Sequence, residues 1–434
     1  MIDPPRPPRL VVDTREIDRV DDLIAYADPH DPLVWLRRGD GIVGLGDIGG
    51  FERGPETADS PQLSPADAWR AMAADADVTD AVELPGTGLV AFGTLVFDAR
   101  STASSRLVIP QVVVGRRGSR SWITTIRRAD PGHPVAGPDP VGGPQPVPYG
   151  PHWSATLGPG TLDRAGYQAA VRDALEAIGS GDVQKVVLAR DLLGTVPAGA
   201  DLRRLVRALA TDYPDTWAYA VDGMIGASPE TLVTVSNGGV TARVLAGTTP
   251  RGADAVEDAA AVAALTRSAK DLAEHRFAVR SVLETLSPHT GELSADAEPF
   301  TLELPNLWHL ATDVAGVIAD HASALDLVAA LHPTAAVAGT PTDAALDVIR
   351  RIEPFDRGRY AGPVGWVDGR GDGEWAIALR CAQIGTAPER RFSSRGEMIP
   401  VTAYAGAGIV AGSDPETELL ETRVKFRPIV DALA

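Results

Sequence analysis

The sequence predicts an α+β fold, on three observations. Strand-like and helix-like runs alternate along the 434 residues without the regular strand–helix–strand rhythm of a doubly wound sheet. No short-period repeat is present. At 44% apolar and 23% charged residues the composition is that of a globular protein, and a chain of this length can share one large core.

The N-terminal part mixes both element types. Pro32–Leu36, Gly88–Phe97 and Leu107–Val114 read as strands. Ser64–Ala73 reads as a helix, with Ser64 as N-cap and Pro65 at the first position. Residues 129–152 are dense in Pro and Gly and read as a surface connection. From 161 onward the pattern sharpens. A helix over Thr161–Ile178 leads into the apolar strand Val183–Arg190, and further strands are expected at 217–223, 231–236 and 240–246. A stretch rich in Ala, Glu, Arg and Leu predicts one long helix over 254–286. Strands at 363–368, 374–383 and 401–411 precede a final helix from 415.

The formal charge of −18 argues against nucleic acid and anionic membranes as partners. A small anion remains possible if a metal or a few cations gather it locally. The single cysteine, Cys381, permits no internal disulfide and no cysteine-based metal cluster. No apolar run approaches the ~20 residues of a membrane helix, and the N-terminus lacks the apolar core of a signal peptide. A cytoplasmic monomer is the expectation.

Of forty basic residues only three are lysine: Lys185, Lys270 and Lys425. Where arginine serves as the general cation, a retained lysine suggests a need for a compact charge or a removable proton. Lys185 interrupts an apolar strand and shares a face with Val183 and Val187. Desolvation and neighbouring cations are what allow a lysine side chain to act as a general base near neutral pH.

Two helices carry carboxylates at helical spacing. In the last, Asp414 and Pro415 form a start signal, and Glu418, Glu421 and Lys425 then share one face. Taken alone, that face reads as solvated, with a Glu421–Lys425 pair. In the 254–286 stretch, Asp271 and Glu274 stand three apart beside Lys270 and His275. Together the two helices offer an oxygen-only donor set, which suits Mg²⁺ rather than zinc. The 374–383 strand puts Glu374, Ala376, Ala378 and Arg380 on one face, where Arg380 can grip a carboxylate bidentately. Ala405-Gly406-Ala407-Gly408-Ile409 permits close approach of backbone N–H groups to a ligand, but lacks the lysine and hydroxyl of a phosphate loop.

Taken in order, these motifs resemble the chorismate-utilising enzymes. The matching pieces begin with Val183-Gln-Lys-Val-Val-Leu-Ala-Arg190, Gly226-Ala-Ser-Pro-Glu230, Leu245-Ala-Gly-Thr248 and Ser268-Ala-Lys-Asp-Leu-Ala-Glu-His275. They continue with Leu307-Trp-His-Leu310, His332–Pro341, Pro354–Trp366 and Gly371–Trp375, and end with Ala405–Val410 and Glu418–Lys425. The resemblance spans residues 165–428; the N-terminal third matches only diffusely.

The resemblance implies two stacked, mainly antiparallel sheets flanked by helices, in one catalytic domain over 1–434. Residues 1–160 would complete the fold around a chorismate-binding core at 161–430. It further implies the isochorismate synthase branch. Lys185 stands where that branch and the salicylate synthases carry a water-activating lysine. Ala246 replaces the nucleophilic lysine of aminodeoxychorismate synthases, and Ala336 replaces the threonine of lyase-type members. Tyr360 is shared with salicylate synthases, which keeps salicylate synthase as the alternative.

The implied roles are Lys185 as general base and Glu230 as general acid. Glu274, Glu418 and Glu421 would hold Mg²⁺, with Asp271 beside them. Arg380, Tyr360, Lys425 and the backbone of Gly406, Ala407 and Gly408 would hold the enolpyruvyl carboxylate of chorismate. His309, Gly247, Thr248 and Ala336 would line the ring pocket, and Lys270 would belong to a charge network around Asp271 and Glu274.

Overall fold

A computed structural model describes residues 9–54, 63–129, 144–305, 307–385 and 397–434, and only the backbone of Lys270. Among the described residues, the strands form one sheet of thirteen and one of ten. Nearly all neighbours are antiparallel; Arg9–Ile17 against Asp77–Asp80 is a parallel pair. The larger sheet starts with Gly158–Pro159, Lys185–Pro197, Met398–Val410, Cys381–Ile384, Met224–Ser228 and Trp217–Val221. It continues directly into N-terminal strands, from Leu33–Arg37 to Arg9–Ile17 and Asp77–Asp80. The smaller sheet runs from Thr290–Ala295 through Leu307–Ile318, Gly239–Pro250, Thr231–Ser236, Gly373–Ile377 and Pro363–Asp368. It too finishes on N-terminal strands: Val90–Thr94, Ser105–Val108 and Gly50–Arg53. Both ends of the chain therefore contribute to both sheets.

Large side chains fill the core. Trp35, Trp366, Trp375 and Phe92 are fully buried, and Trp35 stacks on Trp217 with ring centroids 5.0 Å apart. The buried Glu374 accepts the indole N–H groups of Trp35 at 3.0 Å and Trp366 at 3.1 Å. It thereby satisfies two donors that would otherwise be stranded in an apolar layer.

Three expected elements divide. The 254–286 stretch is two helices, Ala255–Arg267 and Ala269–Leu286. Ser268 is extended at the junction, and its hydroxyl accepts the Asp271 N–H. A serine that can cap a new helix start competes with helix continuation, and the break re-aims Asp271 and Glu274. The expected 374–383 strand is Gly373–Ile377 in the smaller sheet and Cys381–Ile384 in the larger. The chain changes sheets at 378–380, with Arg380 in the left-handed region at φ 50°. Arg380 therefore does not continue the Glu374–Ala376 face. Leu107–Val114 likewise divides around Pro110 into Ser105–Val108 and Val112–Arg117, since proline cannot donate to a ladder.

Within the 129–152 connection, 130–143 lies outside the described residues. The following part is pinned to the fold. The Val147 N–H donates to the Ala25 carbonyl at 2.8 Å, and Arg203 donates to the carbonyls of Val147 and Pro148 at 3.1 and 3.0 Å. Among the described residues no helix is long and apolar enough to cross a membrane.

Candidate active site

A cavity of about 330 Å³ opens where the two sheets meet the helices Ala269–Leu286 and Pro415–Leu433. Its volume lies in the range of small-molecule sites. Every residue assigned above to catalysis, metal binding or substrate binding lines it except Ala407. Lys185 enters from the Lys185–Pro197 strand, and Glu230 from the connection after Met224–Ser228. Gly247 and Thr248 come from an irregularity in the Gly239–Pro250 strand, where pairing with Leu307–Ile318 shifts between Leu245 and Thr248. Gly247 sits at φ +84°, and an added Cβ would stand 3.2 Å from the Asp271 Cβ. That position thus needs glycine for both conformation and space.

Glu230 is buried. Burial drives its carboxyl up to about 7, against the opposing pull of Lys185, Arg380 and Lys425. A carboxylic acid near neutrality, set among cations, can give up a proton at physiological pH. Lys185 projects its ammonium toward helix Ala269–Leu286 and binds Glu274 Oε1 at 2.6 Å. Gly408 leaves the room for this: a Cβ there would stand 3.1 Å from Lys185 Cε.

His309 is buried. Its Nδ1 pairs with the Thr248 hydroxyl at 2.8 Å, while its Nε2 has no partner among the described residues. Burial, reinforced by Arg380 and Lys425, keeps this imidazole well below its ordinary titration range and hence neutral. An unpartnered buried polar atom on the wall of a cavity is a natural contact for a ligand. Arg380 is also buried, and desolvation lowers its pKa. Tyr360 stacks on Tyr404 with centroids 5.0 Å apart and planes 15° from parallel, forming an aromatic wall.

Strand alternation sorts the Gly406–Gly408 segment. Ala407 pairs with Leu188 and is fully buried on the opposite face. It does not line the cavity, because the pleat turns successive residues apart. The Gly406 carbonyl instead points out of the ladder and accepts the Lys425 ammonium at 2.9 Å. In an antiparallel pair the N–H of a residue shares the direction of its carbonyl, so the Gly406 amide faces the site as well.

Asp271, Glu274, Glu418 and Glu421 all reach the cavity from the two helices. They are not drawn together into a coordination sphere: no group of three or more such side chains among the described residues is close enough to hold a metal. Two of them are engaged by lysine instead, Glu274 by Lys185 and Glu421 by Lys425, each at 2.6 Å. The expected Glu421–Lys425 pair thus forms, but facing the cavity. The donor set is all oxygen and carries the charge a hard cation favours. The Lys270 side chain lies outside the described residues.

Sequence reasoning misses Tyr404, Arg357 and Thr417, which also line the cavity. Tyr404 is within its reach, since it falls two residues before Gly406 on a single strand. Arg357 lies between regular elements, where periodicity carries no information, and Thr417 sits one residue before Glu418 on the last helix.

The profile of the chorismate binding enzyme family matches residues 148–434. The chain belongs to that family. It is 41% identical over 279 residues to isochorismate synthase DhbC of Bacillus subtilis, covering 62% of this chain and 67% of that protein, which places it in the isochorismate synthase branch. Among solved structures, DhbC from Bacillus anthracis superposes with a TM-score of 0.72 at 29% identity, covering 95% of this chain and 98% of that one. MenF, the menaquinone-specific isochorismate synthase from Escherichia coli, gives a TM-score of 0.75 at 23% identity, covering 98% and 95%; at that identity the likeness concerns the fold. The two stacked, mainly antiparallel sheets of a chorismate-binding enzyme are thus present in this chain.

Proposed function

We propose that the chain converts chorismate to isochorismate, with Lys185 as general base and Glu230 as general acid. Lys185 takes a proton from water as the water oxygen bonds to C2 of the ring. The ring double bonds shift, the C4–oxygen bond breaks, and Glu230 supplies the proton with which the C4 hydroxyl leaves as water. One water enters and one departs, so the reaction needs no redox partner. The observation that carries this reading is a buried carboxyl raised to about 7 in the same cavity as a lysine that enters from a different element.

The remaining residues orient the substrate. Arg380, Lys425, Tyr360 and the Gly406 and Gly408 backbone suit the enolpyruvyl carboxylate, and His309 Nε2, Thr248, Gly247 and Ala336 border the ring. Glu274, Glu418 and Glu421, with Asp271, would hold Mg²⁺. The ion would supply charge neutralisation for the ring carboxylate of chorismate beside these acidic groups. Glu274 and Glu421 pair with Lys185 and Lys425, so these two carboxylates would have to leave their lysines to hold the ion. Excess EDTA is expected to abolish turnover, and added Mg²⁺ to restore it; full turnover in EDTA contradicts the assignment. The reading takes chorismate as a small-molecule substrate for a cytoplasmic monomer, with no nucleic-acid or membrane partner.

The direct test is incubation of chorismate with enzyme and Mg²⁺, followed by chromatography. Isochorismate without pyruvate is expected. Equimolar salicylate and pyruvate would favour the salicylate synthase alternative, which the similarity to isochorismate synthases supports less well.

A further inference from the structure

Among the described residues, the strand that carries Lys185 has a gap in its pairing on one side, just beyond the catalytic end. On one side Lys185–Pro197 pairs along its length with Met398–Val410. On the other, among the described residues, only Lys185 and Val186 meet a strand, at Thr340 and Gly339, before pairing resumes with Gly158–Pro159 at Leu193 and Leu192. The intervening backbone groups would be orphaned in the interior without a substitute.

A buried ion pair supplies much of that substitute. Glu353 ends the helix Thr342–Ile352, and Arg357 follows four residues later. Arg357 donates to both carboxylate oxygens of Glu353, at 2.8 and 2.5 Å. The same guanidinium donates to the carbonyl of Val187 at 2.7 Å and that of Val337 at 3.0 Å. Glu353 accepts the Ala189 N–H at 2.7 Å, and the Val187 N–H goes to the Ala338 carbonyl at 2.9 Å. Both side chains are buried. One fork thus binds the strand two residues beyond Lys185 to the loop one residue beyond Ala336.

We propose that Glu353 and Arg357 are positioning residues that set the placement of Lys185 against the Ala336–Val337 wall, and so the reach of the base to the C2 side of the ring. The proposal rests on Lys185 being the base. The ion pair fixes two backbone segments, and Val187, Ala336, Val337 and Arg357 all line the cavity. Arginine is required because its planar fork serves three acceptor groups at once, which an ammonium on a flexible stem cannot reproduce.

The test uses Arg357→Lys and Glu353→Gln in the full chain with Mg²⁺. Small displacements of a reacting group cost rate steeply, so kcat is expected to fall about 10–100-fold. KM for chorismate should stay within about threefold, because Arg380, Lys425 and the Gly406 and Gly408 backbone, which suit the carboxylate, lie on other segments than Glu353 and Arg357. Hydrogen exchange read by mass spectrometry should accelerate in the peptide covering 183–190 while distant peptides keep their protection. Unchanged kcat in both folded variants overturns the proposal. So does exchange that rises uniformly across the chain, which marks a general stabilising role. The exchange readout does not require turnover. A wild-type enzyme that makes no isochorismate would therefore refute the proposed reaction, separately from the local constraint on the strand.

Discussion

Glu230→Gln is expected to lower kcat by about 10²–10⁴-fold, the usual contribution of a positioned general acid, while raising thermal stability above neutral pH. Both effects have one cause. Burial raises the Glu230 carboxyl from 4.5 to about 7, so the folded protein holds a proton there that the unfolded chain has released. The stability from this preference is fully present below pH 4.5 and is lost as pH rises through about 7. A shift of that size corresponds to about 3 kcal/mol as an order of magnitude. Glutamine keeps the shape and never ionises, so it escapes that loss. Melting temperatures of wild type and variant should nearly coincide at about pH 4 and diverge at about pH 8, with the variant higher. In wild type, kcat/KM should fall as pH rises through about 7, because the acid must be protonated to act. A variant that keeps its rate, or melts lower than wild type in the alkaline range, would remove Glu230 from this role.

Lys185→Met is expected to cost a similar factor, about 10²–10⁴ in kcat, through loss of the base. Lys185→Arg is the more discriminating change. Arginine can keep an ion pair with Glu274, now 2.6 Å from the lysine ammonium, but its guanidinium stays protonated and cannot accept a proton from water. If the ion pair alone matters, Arg restores activity; if proton transfer matters, Arg is as inactive as Met. The second outcome is expected, read from initial rates with saturating Mg²⁺. Substantial rescue by arginine would contradict the role of Lys185 as base.

Most of the site is legible in the sequence because its chemistry sits on regular elements. Glu418, Glu421 and Lys425 follow an N-cap and a helix-opening proline, so helical spacing alone places them on one face. Lys185 stands out against an apolar strand for the same kind of reason. Where periodicity is interrupted, the sequence misleads. It puts Arg380 on the face of Glu374, because nothing in Ala378-Leu379-Arg380 announces that the chain leaves one sheet for the other. Ser268 looks like an ordinary helical residue, although its hydroxyl begins a new helix. Ala407 groups naturally with its neighbouring glycines, yet the pleat turns it into the core. The Glu421–Lys425 pair follows from helical spacing, although its facing the cavity does not, and the Glu274–Lys185 pair joins separate elements, which sequence spacing leaves open. The stacked sheets follow from resemblance rather than from pattern, since two sheets that share strands from both ends of a chain leave no local signature.

Turnover of chorismate in ¹⁸O-labelled water, with the product followed by mass spectrometry and ¹³C NMR, tests the central claim most directly. Base-assisted attack at one carbon and acid-assisted departure at another require one labelled oxygen at C2 of isochorismate and complete loss of the original C4 oxygen. Product that carries no label would mean the hydroxyl is transferred within the substrate, and would contradict the paired roles of Lys185 and Glu230.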